Sequence, residues 1–436
     1  MELKRPYYPA CVIAILIALS FGLFNICQVY LLKDNCPVSK LWVGSDYCCF
    51  YNATQNLIRG FSPYKPGWYS DTIPDHFKDP SIIVAKNKEL PWYCFPPLLA
   101  YLNYPLVYFD MDTASRLMFF LLIAAVISAY ALINSSFQNM EGKDRKIIFL
   151  YGLIIIFLSY PFYFLIVRGH MIGITILLIA AGIYLLKKNP VICSICFGLS
   201  IGMFLFPVLI IVPLFLFRRY KILIYTFLTF FLLILFCPGL WWFYLKNILA
   251  VYFVTIDLLA LNCSLANTFH YFSIFFEKIM GLAGLPFRIT FYNKAALAAY
   301  TLMFFAMTLA DYKVRKKCGT LDMNTGIALI LMYLPFMIAV PRTVYQYDLV
   351  ILILLIPALC SLTQILKKPM PQPVFWLFSA GIALSQMQAH SLQNLFQPKY
   401  ALFHFFPAFG LFLVMIGCVA FKLWFWRVCP RGMQAI

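Results

Sequence analysis

Long apolar runs, separated by short basic clusters, dominate the chain. They lie at about Pro9–Leu32, Thr113–Phe137, Ile147–Val167, Ile172–Leu186, Ile222–Phe236, Ala295–Leu309, Thr325–Val340, Leu349–Ile365, Val374–Gln388 and Ala401–Phe421. Runs of this length and composition predict membrane-spanning helices. Between Pro190 and Phe217 basic clusters bracket one apolar stretch, which a single crossing does not satisfy; Gly198, Gly202, Pro207 and Pro213 predict a hairpin of short helices there. The piece Pro96–Phe109 carries Pro96, Pro97 and Pro105 and is short for a span, so it either re-enters or crosses. The count is about ten to thirteen spans in one all-α membrane domain over 1–436.

One stretch breaks the pattern. Gly44–Tyr64, GSDYCCFYNATQNLIRGFSPY, is polar and has helical spacing. Ser45 occupies an N-cap position and Gly60 a C′ position. Tyr47, Phe50, Tyr51, Leu57 and Ile58 form an apolar face, and Asn52, Gln55, Asn56 and Arg59 the polar one. An amphipathic helix over 45–59 is expected, lying on the membrane surface within a loop at 33–92. Asp46 sits in its first turn. The loop Lys33–Pro91 holds six of the sixteen acidic residues.

Composition turns this pattern into a class. Hydrophobic residues make up 63% of the 436 and charged residues 11%, with mean hydropathy +0.84. Soluble domains carry roughly 25% charged residues. The chain is therefore read as a polytopic membrane protein. The net charge of +18 suits basic loops facing the cytoplasm and anionic lipid rather than nucleic acid. Lys4 and Arg5, then Lys187–Lys188, Arg218–Arg219, Lys313–Lys317 and Lys367–Lys368, place both termini in the cytoplasm and the loop at 33–92 outside.

Most of the fourteen cysteines lie in apolar runs, as Cys11, Cys27, Cys193, Cys196, Cys360 and Cys418 do. Cys36, Cys48, Cys49 and Cys94 share the external side, with their pairing open. No metal-ligand spacing, nucleotide loop or repeat of solenoid period occurs, so neither metal nor cofactor is expected. Asp71, Asp75 and Asp79 read as a solvated face.

Several fragments together resemble glycosyltransferase family 87. SDYCCFYNATQNLIRGFSPY is similar to its Ser-Asp signature, and FPPLLAYLNYPL to its Tyr-Pro-Pro-Leu segment, with Phe95 in the tyrosine position. Arg168-Gly-His170-Met171 resembles its Gly-Gln-x-Asn turn. FGLSIGMFLFPVLIIVPLFLFRR resembles its glycine-rich, proline-broken hairpin. The ordered likeness covers about Asp46 to Lys221. Two departures stand out: Met203–Phe206 contain no lysine, and His170 and Gly173 replace the usual Gln and Asn.

The resemblance implies a GT-C type helical bundle in a bacterial inner membrane. It implies transfer of a hexose such as mannose from a polyprenyl-phosphate sugar to a lipid or glycan acceptor on the non-cytoplasmic side. It also makes Asp46 the general base, since transfer to a hydroxyl needs a carboxylate to take the proton. Arg168, His170 and Arg342 are candidate contacts to the donor phosphate, arginine being suited to phosphate oxygens. Tyr47, Tyr51 and Tyr64 are candidate sugar-stacking rings. The bilayer is the remaining partner. The rival readings are a flippase or transporter of lipid-linked saccharides, which calls for ionisable residues inside spans, and a non-catalytic membrane partner. Mid-span charges look almost absent.

Overall fold

The structure, a computed structural model, describes residues 8–18, 45–64, 93, 95–249, 268, 292–319, 321–339, 346–366, 370–386 and 402–429. Those residues are helical, without strands. In chain order the helices are α1 (Tyr8–Ala18), α2 (Ser45–Ile58), α3 (Pro97–Leu102), α4 (Met111–Ser136), α5 (Gly142–Leu158), α6 (Tyr160–Arg168), α7 (Ile172–Leu185), α8 (Pro190–Met203), α9 (Ile211–Leu216), α10 (Tyr220–Phe236) and α11 (Pro238–Phe243). They continue with α12 (Tyr292–Cys318), α13 (Met323–Leu331), α14 (Leu334–Ala339), α15 (Leu355–Leu366), α16 (Gln372–Ser385) and α17 (Leu402–Val428). Shorter 3₁₀ segments cover Tyr104–Tyr108, Phe206–Ile210 and Gln346–Leu354.

Four helices are long and apolar enough to cross a membrane, and six if the bent pairs α5–α6 and α10–α11 each count once; six more apolar helices are shorter. The protein is an all-α, multi-pass membrane protein. Its spans are apolar all round, as lipid contact requires. On α4, Ala114, Met118, Leu122, Ala125, Ala129 and Ile133 face the interior, while Leu117, Phe120 and Leu121 are exposed. Asp110 caps this helix, accepting from the Thr113 amide at 2.9 Å and the Thr113 hydroxyl at 2.8 Å.

Helices α4, α7, α8 and α10 pack in sequence as one layer, and α17 packs between α12 and α16 as a second. The second layer closes tightly at Gly381 and Gly410. A Cβ on Gly410 would lie 2.7 Å from the Gly381 carbonyl oxygen, so only glycine lets these helices approach so closely. The segment 346–354 packs on α6 and joins the layers.

The run Ile147–Val167, expected as one span, is broken at Ser159 with a 61° bend. Pro161 cannot continue the helix of the preceding turn. Ser159 instead caps α6, accepting from Phe162 N at 3.2 Å. Gln386 fills the break: its backbone carbonyl accepts from Tyr160 N at 3.2 Å and its side-chain oxygen from the Ser159 hydroxyl at 2.6 Å. Backbone polar groups freed inside a bilayer need such partners. The stretch 190–217 is broken as expected, into α8, a 3₁₀ segment and α9.

At Pro96–Phe109, six α-helical and five 3₁₀ residues reach about 20 Å in total, against a hydrocarbon core of roughly 30 Å.

Candidate functional site

The helix expected at 45–59 is present as α2, and Gly60 ends it with φ 76°. Gly60 N bonds to Leu57 O at 3.0 Å and Phe61 N to Asn56 O at 2.8 Å, a complete Schellman cap. Of the polar face of α2, Asn52 is buried, Gln55 and Asn56 are half-buried and Arg59 is exposed, while Thr54 is buried along with Tyr47, Phe50 and Tyr51.

The short 93–109 segment causes this. Its carbonyl groups lack a full helical ladder, and α2 and the turn after it supply donors. Thr54 Oγ1 donates to Ala100 O at 2.7 Å, Tyr51 to Phe109 O at 2.8 Å, and Tyr64 to Phe95 O at 2.8 Å. Thr54 and Tyr51 of α2, with Tyr64 just beyond it, thus serve the backbone of the 93–109 segment, with a net worth of about 0.5–1.5 kcal/mol each.

Asp46 and Arg168, separated by 122 residues, meet in a two-pronged ion pair. Arg168 Nε donates to Oδ2 at 2.8 Å and Nη2 to Oδ1 at 2.5 Å. Both side chains are largely covered, at 14% and 13% exposure, without being sealed. The Arg168 guanidinium also lies 5.4 Å from the Phe164 ring centroid. Arg168 therefore holds Asp46 directly.

Gly169 makes the approach possible. It ends α6 with φ 69°, and a Cβ there would lie 2.7 Å from Tyr47 Cβ. The next residue, His170, is buried among Phe50, Phe95 and Phe204, with ring centroids 5.3–5.6 Å away. Its Nδ1 accepts from Ile172 N at 3.3 Å, which assigns the neutral tautomer with its proton on Nε2. Burial pushes the imidazole down to about 4; the Asp46 carboxylate opposes that shift and Arg168 adds to it. His170 is thus neutral near pH 7, an uncharged neighbour of the ion pair.

The three candidate stacking tyrosines are all buried. Tyr47 lies against Tyr51 at 6.2 Å, and Tyr64 stacks on Phe243 at 5.4 Å and on Tyr244 at 6.3 Å. Among the described residues, Tyr64 alone of the three has rings stacked on it. Arg342, Cys36 and Cys94 lie outside the described residues, as does the Ser45 side chain; Cys48 and Cys49 are buried on α2. No cluster of metal-binding side chains occurs among the described residues.

A second ion pair corrects the expectation that spans are nearly free of charge. Asp311 on α12 and Lys422 on α17 meet at 2.6 Å, both fully buried, and Tyr333 donates to the same carboxylate oxygen at 2.8 Å. Lys422 Nζ also sits 3.9 Å from the Tyr333 ring centroid. Each charge lies about 10 Å inside its helix end. Hydropathy averaging hides single charges in long apolar runs. Asp311 lies just past the apolar run Ala295–Leu309, beside the basic cluster Lys313–Lys317, and Lys422 just past Ala401–Phe421, so both read as charges at span ends.

Glycosyltransferase family 87 matches residues 93–335, more than half of the chain. The chain belongs to glycosyltransferase family 87. This glycosyltransferase is a membrane enzyme with α3 to α13 inside the matched region. The match runs well past Lys221, into helices where the resemblance was one of hydropathy alone. It begins after α2, so Arg168 and His170 fall within it and Asp46 does not. No curated protein and no solved structure matches the chain.

Proposed function

We propose that the enzyme transfers a hexosyl group, mannose being the leading candidate, from a polyprenyl-phosphate sugar to a lipid or glycan acceptor on the non-cytoplasmic side, with Asp46 as general base. The Asp46–Arg168 pair carries this reading. A carboxylate oxygen has two lone pairs, so each Oδ that accepts from Arg168 keeps one for an incoming hydroxyl. The two-pronged contact also fixes the direction in which those lone pairs point.

In the proposed step the acceptor hydroxyl gives its proton to Asp46 as its oxygen bonds to the anomeric carbon. The bond from that carbon to the phosphate oxygen breaks, and polyprenyl phosphate leaves with the electron pair. Arg168 is a positioning residue for Asp46 before the donor arrives. The donor phosphate competes for the same guanidinium, which couples donor binding to release of the base. His170 supplies a neutral, desolvated wall next to the pair. A donor delivered through the bilayer accords with a fold built of membrane helices.

The test is transfer from a radiolabelled polyprenyl-phosphate mannose in matched membranes containing wild type or Asp46→Asn. Normal transfer by the variant removes Asp46 from the mechanism. An alkaline phosphatase fusion after Ser70 checks the side: an inactive fusion rules out an external site.

The transporter reading gains one observation, the Asp311–Lys422 pair within spans. Both groups are fully buried, and neither lines the two large concavities at Arg219 and Asp322. That is the opposite of what a moving substrate needs.

A further inference from the structure

At the far end of α7 from His170, about 21 Å away along the helix, the bundle opens into two adjoining concavities. Their volumes are about 700 Å³ and 630 Å³, and they share Arg219, Leu321, Asp322 and Met323. Cations enter from three separate parts of the chain: Lys187 and Lys188 after α7, Arg218 and Arg219 between α9 and α10, and Arg315 and Lys316 at the end of α12. The one acid in the lining is Asp322. Its two oxygens accept from Thr325, one from the amide at 3.0 Å and one from the hydroxyl, as the cap of α13. Lys187, Arg218 and Lys316 are exposed and have no carboxylate partner among the described residues.

The backbone adds an independent observation. α9 ends in a Schellman turn, with Arg218 N bonded to Phe215 O at 3.0 Å and Arg219 N to Leu214 O at 2.9 Å. The left-handed residue of this turn is Arg218, φ 55°, whereas Gly60, Gly169 and Gly319 hold the other left-handed positions of the described residues. Glycine adopts this conformation freely and arginine does not. Arg315 Nη1 grips the turn through Leu216 O at 2.8 Å. A strained turn is thus braced so that a cation stands over the cleft. Leu186, Phe217 and Ile330 supply an apolar floor.

We propose that this cleft binds a phosphate-bearing anion at the membrane surface. The headgroup of an anionic phospholipid is the source that its apolar floor and position between helices favour. A headgroup phosphate meets Arg218 and Lys316 while the start of the acyl chains follows the floor. The bias of basic residues to one side of a membrane explains their sign but not their convergence on one cleft or the arginine at a glycine position.

The full chain is reconstituted in nanodiscs of phosphatidylcholine, with or without phosphatidylglycerol, and retained lipid is read by native mass spectrometry. The key variant is Arg218→Gly with Lys316→Gln. Its glycine relieves the left-handed turn, so its thermal midpoint in phosphatidylcholine matches or exceeds wild type while phosphatidylglycerol retention falls by about thirtyfold. Lys187→Gln with Lys188→Gln weakens retention from the other wall. Lys143→Gln with Lys146→Gln removes the same charge elsewhere and leaves retention unchanged. A parallel titration with inorganic phosphate separates the sources: stabilisation by phosphatidylglycerol alone assigns the lipid, and equal stabilisation by inorganic phosphate assigns a soluble ligand. Equal retention by wild type and the Arg218→Gly variant, or equal loss in the Lys143→Gln control, overturns the proposal.

Discussion

Two ion pairs join distant parts of this chain, and they solve opposite problems. Asp46–Arg168 is two-pronged and retains 14% and 13% exposure. Asp311–Lys422 is fully buried, with Tyr333 as its third member. Desolvating two charges costs several kcal/mol each, and only close contact with further hydrogen bonds offsets that. The sealed pair has its one tyrosine bond and a cation–ring contact, and no route for another molecule. The partly exposed pair keeps lone pairs for the hydroxyl of the proposed step. Accessibility, more than the presence of a carboxylate, separates a candidate reactive site from an interhelical tie.

The tie also reports direction. Asp311 and Lys422 are 111 residues apart, as are Cys318 and Cys429, whose Cα atoms lie 7.3 Å apart at the helix ends. A constant offset along two contacting helices means that α12 and α17 run parallel, so both cross in the same sense.

Each pair can be broken in a way that tests the contrast. The largest effect is expected at Asp46→Asn, with transfer activity lower by about 10²–10⁴-fold in membranes holding equal amounts of protein. Its thermal midpoint should move little. Next is Lys422→Met, which leaves the Asp311 carboxylate buried and alone; a loss of about 3–5 kcal/mol is expected, read as a lowered midpoint in detergent. Adding Asp311→Leu should return most of it, and failure of that rescue would show that more than the unpaired charge is at stake.

A smaller effect follows at Gly169→Ala. The left-handed backbone and the 2.7 Å approach to Tyr47 Cβ predict about 1–3 kcal/mol of destabilisation. Activity should fall as well, because the turn carrying Arg168 moves away from α2. The smallest effect at neutral pH concerns His170. Its folded pKa of about 4 lies below the ordinary 6.5, so the unfolded chain binds more protons between those values. Stability should decline as pH drops from 6.5 towards 4 and level off below. His170→Gln should flatten that slope; an unchanged slope would assign it to other groups.

Helix α2 shows how far the sequence can be read. Its bounds, its Gly60 stop and Asp46 in its first turn were legible, because caps and periodicity are local. The use of its polar face was not. Asn52 reads as solvent-facing, and Thr54 as neither face, until α2 is seen packed on the 93–109 segment with Thr54 donating to Ala100 O. Ile147–Val167 shows the reverse case: Pro161 marked the break in plain view, but the apolar run outweighed it.

Taken alone, the sequence determined the all-α membrane class, most helix positions, the broken 190–217 stretch and the family fragments. Each follows from composition or from contacts a few residues apart. Only the tertiary structure decided that Arg168 grips Asp46 across 122 residues, that Gln386 plugs the break at Ser159, and that Asp311 and Lys422 find each other between two spans. A charge in an apolar run carries no record of its partner. The partner is set by which helices pack side by side, and in lipid that depends on shape and small residues such as Gly381 and Gly410 as much as on hydropathy.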